Sequence, residues 1–586
     1  MKFGTLVGRS LIALMVVSIA CIGCAAPQPA AAPTVAPAAV EPTAAPAVVA
    51  PTAAPPEPTA APAVVEPTAA PPEPTAAPEP EPVAESGGEL RYGLTLVVSG
   101  IDPHIHSSSE LGIPLTSVYD TLVFLTPDYQ FVPGLAESWT VSDDAKSYTF
   151  VLRKDVKFHD GTPFNAEAVK ANFDRIVDPE TKSAKAITLL SNYEGSEVVD
   201  EFTVKVSFTQ PYPAFLDACA QVYLGMASPT AFEKWGPADY QMHQAGTGPF
   251  MFSEADYVPK DTIVLVKNPD YNWGPSLFKH TGPAYLDRIT FKFFPDAATR
   301  AAALESGAVD VIGELSPQDA TRLQSDPKYQ VMIVVVPGPP LMVFINSAKA
   351  PTDDVKVRQA LLYGTDRQAI VNTIFRGLSP IAYGPWGTSS LGFAEDLKSL
   401  YPFDQAKAKA LLDEAGWAPG SDGIRVKDGQ RLSLETYLQT WGFLSETGQM
   451  LQAQLKQIGV ELNTQTVSFP AAMEAAANGD HNLAPLNLSA SDPSFLRGLF
   501  YSNGGYNWSK VDSPELNKLF DDAAATLETE ARLELYKQIQ KYTMEQALLI
   551  PIRDYTNLNG ASAKVQGLVY DSHGWFPYFY DVTLAK

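Results

Sequence analysis

The chain has 586 residues, of which 45% are hydrophobic and 10% aromatic, and its formal net charge is −24. A chain of this length is too long to fold around a single hydrophobic core, so two or three domains are expected in its folded part. The strong negative charge argues against nucleic acid or an anionic membrane surface as a partner, and it weakly favours a neutral or cationic ligand.

The N-terminus has the pattern of an export signal. Lys2 and Arg9 supply positive charge, and the apolar run that follows is too short to span a bilayer. Small residues then precede Cys24, an arrangement that resembles the cleavage site of bacterial lipoproteins. We therefore predict a signal peptide over 1–23 and lipid attachment at Cys24. Cys21 is the alternative attachment site, and a plain secretory signal is the simpler interpretation.

Residues 24–87 form a low-complexity segment rich in Ala, Pro, Thr, Val and Glu, and 41–56 is nearly repeated as 57–72. Frequent proline removes backbone donors and favours the polyproline II conformation. The composition predicts a disordered, solvated linker rather than a fold repeat, although proline-rich segments also bind SH3-like grooves. The protein is accordingly predicted to lie outside the cytoplasm, anchored to the cell membrane as a lipoprotein.

Strands and helices alternate through the remaining 500 residues, which predicts a mixed α/β fold. Residues 202–208 and 289–293 alternate apolar and polar side chains, a pattern typical of half-buried strands. The continuously apolar run 331–336 predicts a central strand. Cys219 stands alone in an apolar context and is expected to be a buried, unreactive thiol.

Helix starts are indicated by capping residues. Asp296, Asp353 and Asp404 each precede a helical pattern, and Thr365 with Gln368 forms a capping box. Two further elements are predicted from periodicity, a helix over 446–458 and a strand over 460–467. Within 134–176, Tyr148, Phe150 and Leu152 alternate along a strand, and Pro163 and Asn165 lead into a helix with Val169, Phe173 and Ile176 on one face.

The segment 134–176, GLAESWTVSDDAKSYTFVLRKDVKFHDGTPFNAEAVKANFDRI, resembles the signature of family 5 extracellular solute-binding proteins. These are the dipeptide, oligopeptide and nickel receptors of ABC importers. Further pieces follow in order to the C-terminus, among them YDTLVF at 119–124, GTGPF at 246–250, ALESGAVDVI at 303–312 and AKALLDEAGW at 408–417. The resemblance extends from about residue 88 to the end of the chain.

The resemblance implies a two-lobed, periplasmic-binding-protein-like α/β fold of type II, in the large cluster with an extra subdomain. Lobe I would comprise 88–290 and 551–586, with an inserted subdomain at about 119–198, and lobe II would comprise 291–550. Two strands would cross between the lobes near 289–295 and 549–553. Binding would close a hinge over a small-molecule solute and present a new surface to the permease subunits of an ABC importer. No catalysis, cofactor or resident metal is implied, and a monomer is expected.

In peptide-binding members of the family, a Trp and an Asp precede an acidic residue followed by Pro, and the Asp pairs with the α-ammonium group of the peptide. Here the acidic residue is Asp492, the Asp position holds Ser489 and the Trp position holds Leu486. A cation left unpaired in a closed cleft costs several kcal/mol. A standard peptide N-terminus is therefore disfavoured, unless Asp492 substitutes. Asp492 also suits a turn cap before Pro493.

The remaining candidates lie at positions that face the cleft in the family. The loop after the first strand offers neutral donors, the aromatic residues could stack on a ring, and the tyrosines could donate hydrogen bonds, although core packing explains the aromatic residues equally well. Such a set would suit a peptide-like or other polar solute, with a sugar, an opine or chelated nickel as alternatives. These predicted ligand-binding residues are Ser107, Ser108, Ser109, Tyr383, Trp386, Trp441 and Tyr506, together with Ser489 and Asp492.

Three other functions are weighed against solute binding. His104 and His106 are two residues apart and could share one face of a strand, but a structural hydrogen bond is the ordinary explanation for His104, and no metal site is predicted. A structural or sensory surface protein that uses the same fold to present a ligand to another receptor is the second alternative, and a secreted hydrolase on a stalk is the third. The sequence has no nucleophile elbow and no Ser/His/Asp set at motif spacing, and its acidic pairs lie in turn or cap contexts.

Overall fold

The computed structural model describes residues 87–95, 100–439 and 441–585. The predicted signal peptide, the attachment site at Cys24 and the linker up to residue 86 lie outside these residues. Within the described ranges, no helix is long and apolar enough to cross a membrane.

The first sheet is organised around the strand Glu89–Leu94. This strand pairs in parallel with Arg288–Phe293 on one side and with Val311–Ile312 on the other. Ile289 and Phe291 are fully buried, which confirms the predicted half-buried strand. In the described part of the chain, the spatial order of the seven strands is Tyr329–Val335, Thr556–Ser562, Val311–Ile312, Glu89–Leu94, Arg288–Phe293, Thr262–Lys267 and Phe250–Phe252.

The apolar run at 331–336 is a strand, but the prediction that it is central was wrong. Tyr329–Val335 lies at the sheet edge, pairs only with Thr556–Ser562 among the described strands, and leaves Ile333 42% exposed. Its two faces pack against different hydrophobic clusters. Val331 contacts a small cluster around Leu304, and Met332 contacts the large core that contains Ile289. Both faces are therefore apolar although one edge is unpaired.

A second, antiparallel sheet packs under the helix Ala166–Val177. Its strands follow the spatial order Ala136–Val141, Ser147–Leu152, Thr203–Phe208, Tyr193–Asp200. Tyr148, Phe150, Leu152, Val204, Val206 and Phe208 are all buried, as are Val169, Phe173 and Ile176 on the helix, which confirms the predicted alternation and helix face. The sheet extends to Phe208, beyond the predicted end of the inserted subdomain near residue 198.

Helices surround these two sheets, and Cys219 is buried within one of them, as predicted. Burial raises the pKa of its thiol. The helices are Ser109–Leu115, Ala166–Val177, Ala186–Leu189, Phe215–Cys219, Pro229–Asp239, Ala297–Glu305 and Pro317–Leu323, and the small strand pairs are Val123–Leu125 with Phe131–Pro133, Val565–Gln566 with Thr583–Leu584 and Val569–Tyr570 with Pro577–Tyr578.

A separate hydrophobic core surrounds the remaining main sheet. Its strands follow the order Glu461–Thr466, Ser433–Leu438, Leu483–Leu486, Leu341–Ile345, Leu549–Arg553, and a small sheet of Ala418–Pro419, Arg425–Lys427 and Gln430–Arg431 lies beside it. The helices around it are Val355–Tyr363, Arg367–Ile374, Gln405–Glu414, Leu444–Gln457, Phe469–Asn478, Leu496–Phe500, Pro514–Ala525 and Thr529–Glu545. The predicted helix over 446–458 and strand over 460–467 are confirmed within two residues.

The side chains of Asp296 and Asp404 cap their helices as predicted, each accepting a backbone N–H. Two caps differ by one residue from the prediction. Asp354, not Asp353, caps Val355–Tyr363, and Asp366, not the Thr365 box, caps Arg367–Ile374. The Thr365 hydroxyl instead donates back to the carbonyl of Leu361 (2.8 Å). In each pair both neighbours have capping side chains, and the backbone conformation selects the second.

The chain passes between the two main sheets twice. It leaves the seven-stranded sheet after Val335 and enters the five-stranded sheet at Leu341, then returns between Arg553 and Thr556. The two passages contact each other, since the Val336 N–H donates to the Tyr555 carbonyl (2.9 Å). We call 87–335 with 556–585 the first part and 341–553 the second part. The predicted crossing near 289–295 is not a passage in this strand pairing, because the first sheet continues through Val335.

Candidate ligand-binding site

A cavity of about 530 Å³ lies between the first and second parts. This volume falls within the range of about 300–1,000 Å³ that is common for small-molecule sites. The first part lines the cavity with residues from 107, 185–191, 212–223 and 573–576, and the second part with residues from 489–495, while Pro337 contributes from the passage between them. Both parts therefore supply walls to the same cavity.

Three of the predicted ligand-binding residues, Ser107, Ser489 and Asp492, line this cavity. Ser108 lies next to it at the start of the helix Ser109–Leu115, where its carbonyl accepts from the Tyr223 hydroxyl (3.2 Å). The side chain of Ser109 is outside the described part of the structure. Contact of these residues with a ligand stays a prediction.

The other four predicted residues are not among those that line the cavity. Trp386 is fully buried in the second core, where its indole donates to the Leu391 carbonyl (2.9 Å). Tyr383 packs beside the Arg367 guanidinium. Trp441 and Tyr506 are 41% and 36% exposed. For Trp386 the core-packing interpretation accounts for its position, and the cavity gives no support for ligand contact by any of the four.

Asp492 is held by an arginine that the sequence motif does not contain. Arg532, on the helix Thr529–Glu545, donates from Nη1 to Oδ2 (3.0 Å) and from Nη2 to Oδ1 (2.5 Å). Oδ1 also accepts the backbone N–H of Ser494 (2.8 Å), so Asp492 is a turn cap as well. Burial raises the pKa of Asp492, but the Arg532 charge together with the hydrogen bonds from Arg532 and Ser494 outweighs this effect, and the net shift of the pKa is downward. The carboxylate is therefore ionised and already neutralised by a cation of the protein.

A second ion-pair network crosses the cavity wall. His573 lies between two carboxylates, with Nδ1 3.1 Å from Asp571 Oδ2 and Nε2 3.3 Å from Asp217 Oδ1. Burial lowers the pKa of His573, but the two carboxylates outweigh it and raise the pKa to about 10. Asp217 Oδ2 accepts from Ser491 Oγ of the second part (2.6 Å) and from Gln221 Nε2 (3.2 Å). This network links the two parts at the cavity.

A second hydrogen bond joins the parts at another point. The Tyr129 hydroxyl of the first part donates to the Ser389 carbonyl of the second (2.9 Å). Neither this bond nor the bond from Ser491 to Asp217 could be found from the sequence, because the partners are 260 and 274 residues apart. Tertiary contact alone brings them together.

His104 has a structural role. Its Nε2 hydrogen-bonds the Gly225 carbonyl (2.9 Å), its Nδ1 lies 2.8 Å from Arg175 Nη1, and Arg175 pairs with Asp102. Burial and the Arg175 charge lower the pKa of His104 to about 4. The ring is therefore neutral, with Nδ1 accepting and Nε2 donating. Among the residues in the described ranges, no group of three or more His, Cys, Asp or Glu side chains could hold a metal ion.

Comparison with known proteins identifies relatives along most of the chain. Residues 130–508 match the model of the bacterial extracellular solute-binding proteins, family 5. The chain is 30% identical to heme-binding protein A of Haemophilus influenzae over 494 residues, which are 80% of this chain and 87% of that protein. It is 30% identical to the glutathione-binding protein GsiB of Shigella flexneri, over 77% of this chain and 86% of that one.

A solved structure extends this likeness to three dimensions. The structure of NikA from Brucella suis in complex with Fe(III)-EDTA superposes with a TM-score of 0.76 at 26% identity. The superposition covers 85% of this chain and all of that one. The overall architecture of the described chain therefore has a counterpart in a solved structure.

Proposed function

Because the chain belongs to the bacterial extracellular solute-binding proteins of family 5, we propose that it captures a small solute between two lobes and delivers it to the permease of an ABC importer. The single observation that carries this proposal is the cavity, to which both parts of the fold contribute walls. No bond is made or broken in the solute, because the work of the protein is capture and release. The family membership and the two-lobed type II α/β fold are confirmed by the comparisons.

Strand pairing supports lobes whose boundaries differ from those expected from the sequence. We assign 87–335 and 556–585 to lobe I and 341–553 to lobe II, in place of 88–290 with 551–586 and 291–550. The hinge is then formed by the two short passages, 336–340 and 554–555. Such closely spaced connections allow one lobe to rotate against the other over the solute.

The cavity volume suits a solute no larger than a short peptide, and the hydroxyl groups of its wall suit a polar one. Relatives carry names that refer to heme and glutathione, so a peptide-like molecule and a chelate are both compatible with the fold. A peptide led by a free ammonium group is disfavoured here, because Arg532 already neutralises Asp492. The sugar and opine alternatives have no specific observation in their favour.

The test of solute capture is equilibrium titration with a library of peptides, sugars, opines and chelated metals, read by thermal shift and confirmed by calorimetry. Ser489→Trp fills the cavity and is expected to abolish the binding of every hit, whereas Ser399→Trp, at an exposed serine outside the cavity, is expected to leave it intact. Small-angle X-ray scattering should show a smaller radius of gyration with a hit bound. A folded protein that is stabilised by no member of the library contradicts the proposal.

We further propose anchoring at the cell membrane through a lipid on Cys24, with the linker as a spacer. Dual acylation of the kind found in lipoproteins supplies the two chains that stable anchoring needs. Cys24→Ser should move the protein from the membrane fraction to the soluble fraction, and Cys21→Ser should not. The opposite pattern would assign the lipid to Cys21, and membrane association of neither or both variants would contradict a single cysteine anchor.

A further inference from the structure

Lys185 stands out among the charged residues of the cavity wall. It precedes the short helix Ala186–Leu189, is half-buried, and lies with its Nζ 6.0 Å from the centroid of the Tyr223 ring. None of the hydrogen bonds or ion pairs of the described residues involves its ammonium group, whereas Asp492, Asp217 and His573 in the same wall are all paired. Burial lowers the pKa of Lys185, and the nearby charge of Asp217 opposes this effect.

The carboxylates of the wall are less available to a ligand than this ammonium group. Both oxygens of Asp492 accept from Arg532, and both oxygens of Asp217 accept from protein donors, from His573 at Oδ1 and from Ser491 at Oδ2. A cationic ligand would have to compete with these partners. An anionic ligand would instead meet three unengaged N–H donors on Lys185.

The charge balance of the wall limits how much negative charge the solute can carry. The wall and the buried ion-pair partners of its residues contain three cations, Lys185, His573 and Arg532. They also contain three carboxylates, those of Asp217, Asp492 and Asp571, so the positive and negative charges are equal in number. A solute with one negative charge adds a single charge next to Lys185, whereas a polyanion would lie unpaired beside the carboxylates. The rest of the wall is neutral, with hydroxyls at Ser107 and Thr188 and aromatic surface from other lining residues such as Phe495 and Phe576.

We propose, on the premise that this cavity is the solute site, that Lys185 binds an anionic oxygen group of the solute, and that the solute is a monocarboxylic acid with an uncharged remainder. Lys185 is then a specificity-determining residue that selects acids over the corresponding amides and amines. The aromatic and aliphatic part of the wall contacts the uncharged remainder of such an acid.

The experiment uses calorimetry on the full-length protein with matched probes. The acids are hippurate and N-acetylphenylalanine, their neutral counterparts are the C-terminal amides, and the cationic counterparts are glycine and phenylalanine amides with free amines. A hydrogen bond to a charged group supports an affinity difference of about tenfold or more between acid and amide. Lys185→Gln should reduce acid binding to the level of the amide, and Lys185→Arg should retain most of it.

Lys182→Gln is the matched control, because it removes an exposed lysine three residues away that does not line the cavity. It should bind the acids like the unchanged protein. Thermal unfolding without probe shows whether Lys185→Gln has affected the fold, and no effect is expected for a side chain without an ion-pair partner in the described chain.

Three results would overturn the proposal. If amides or amines bind as tightly as the acids, or if Lys185→Gln leaves acid binding unchanged, anion selection by Lys185 is wrong while solute capture in the cavity stands. If none of the acids binds at millimolar concentration, the monocarboxylic acid assignment is also wrong. Solute capture itself fails only if the broad library and the scattering measurement are negative as well.

Discussion

Replacing Arg532 with methionine tests the central electrostatic feature of the cavity wall. The side chains of Arg532 and Asp492 are only 8% and 18% exposed, so the substitution leaves a carboxylate largely buried without its cation. Breaking a buried ion pair in this way costs about 3–5 kcal/mol. Because Asp492 keeps the N–H of Ser494 and some contact with water, we expect a loss of about 2–3 kcal/mol at pH 7. Methionine retains most of the packing volume of the arginine stem.

The measurement is equilibrium unfolding in urea, followed by tryptophan fluorescence. Lys541→Met is the control on the same helix, because Lys541 is 55% exposed and its loss should cost less than about 0.5 kcal/mol. The double variant that also carries Asp492→Asn should recover most of the loss, since no buried charge is left unpaired. A loss for Arg532→Met no larger than that of the control would refute the claim that Arg532 neutralises a buried carboxylate.

The same variant tests why a peptide N-terminus is disfavoured. Once Arg532 is gone, Asp492 can accept an ammonium group, so Arg532→Met should bind trialanine more tightly than the unchanged protein does. N-acetyl-trialanine, which lacks the ammonium group, should show no such gain. Calorimetry with the two peptides separates the outcomes, and equal behaviour of both peptides would mean that Asp492 does not face the solute.

Three further substitutions have defined expectations. Burial raises the pKa of Asp554 to about 6, so the fold loses stability as pH rises from about 4 to about 6, and Asp554→Asn should raise the free energy of unfolding by about 1–2 kcal/mol at pH 7 but by little at pH 4. The carboxylates of Asp217 and Asp571 raise the pKa of His573 against the effect of burial, so its stabilisation is complete below about pH 6.5 and is lost towards pH 10. His573→Gln should remove this part of the pH dependence of the urea midpoint. Asn165→Ala removes a helix cap that accepts an N–H at 3.0 Å and should cost about 1 kcal/mol in the same assay.

Local structure could be predicted from the sequence where one period or one capping side chain dominates. The alternation at Tyr148, Phe150 and Leu152 and the caps at Asp296 and Asp404 are of this kind. Prediction failed where two neighbouring residues could serve equally, as at Asp353 and Asp354. The prediction of a central strand also failed for Tyr329–Val335, which lies at the sheet edge. A continuous apolar run indicates that both faces of a strand are covered, but it does not indicate whether another strand pairs with each edge.

The cavity could be located through a family motif, but its chemistry could not. Ser489 and Asp492 are local to the motif, and both line the cavity. Their electrostatic state depends on distant residues, since Arg532 lies 40 positions away and His573 contacts Asp217 over a separation of 356. Such pairs leave no periodic or spacing signal in one sequence. The sequence therefore shows which candidate residues carry a charge, but it does not show whether another residue of the protein already pairs with that charge.

The same distinction applies to the charge of the whole chain. A formal charge of −24 weakly favours a cationic or neutral ligand, but seven of the acidic residues fall in the linker, and charges more than about 8 Å apart across solvent are largely screened at physiological ionic strength. Inside the cavity, the carboxylates are paired at contact distance and one ammonium group is not. A charge in contact with the ligand therefore outweighs the summed effect of the distant charges. The interaction of two charges becomes stronger as their separation and the dielectric constant of the medium between them decrease. An acidic protein can thus select an acidic solute.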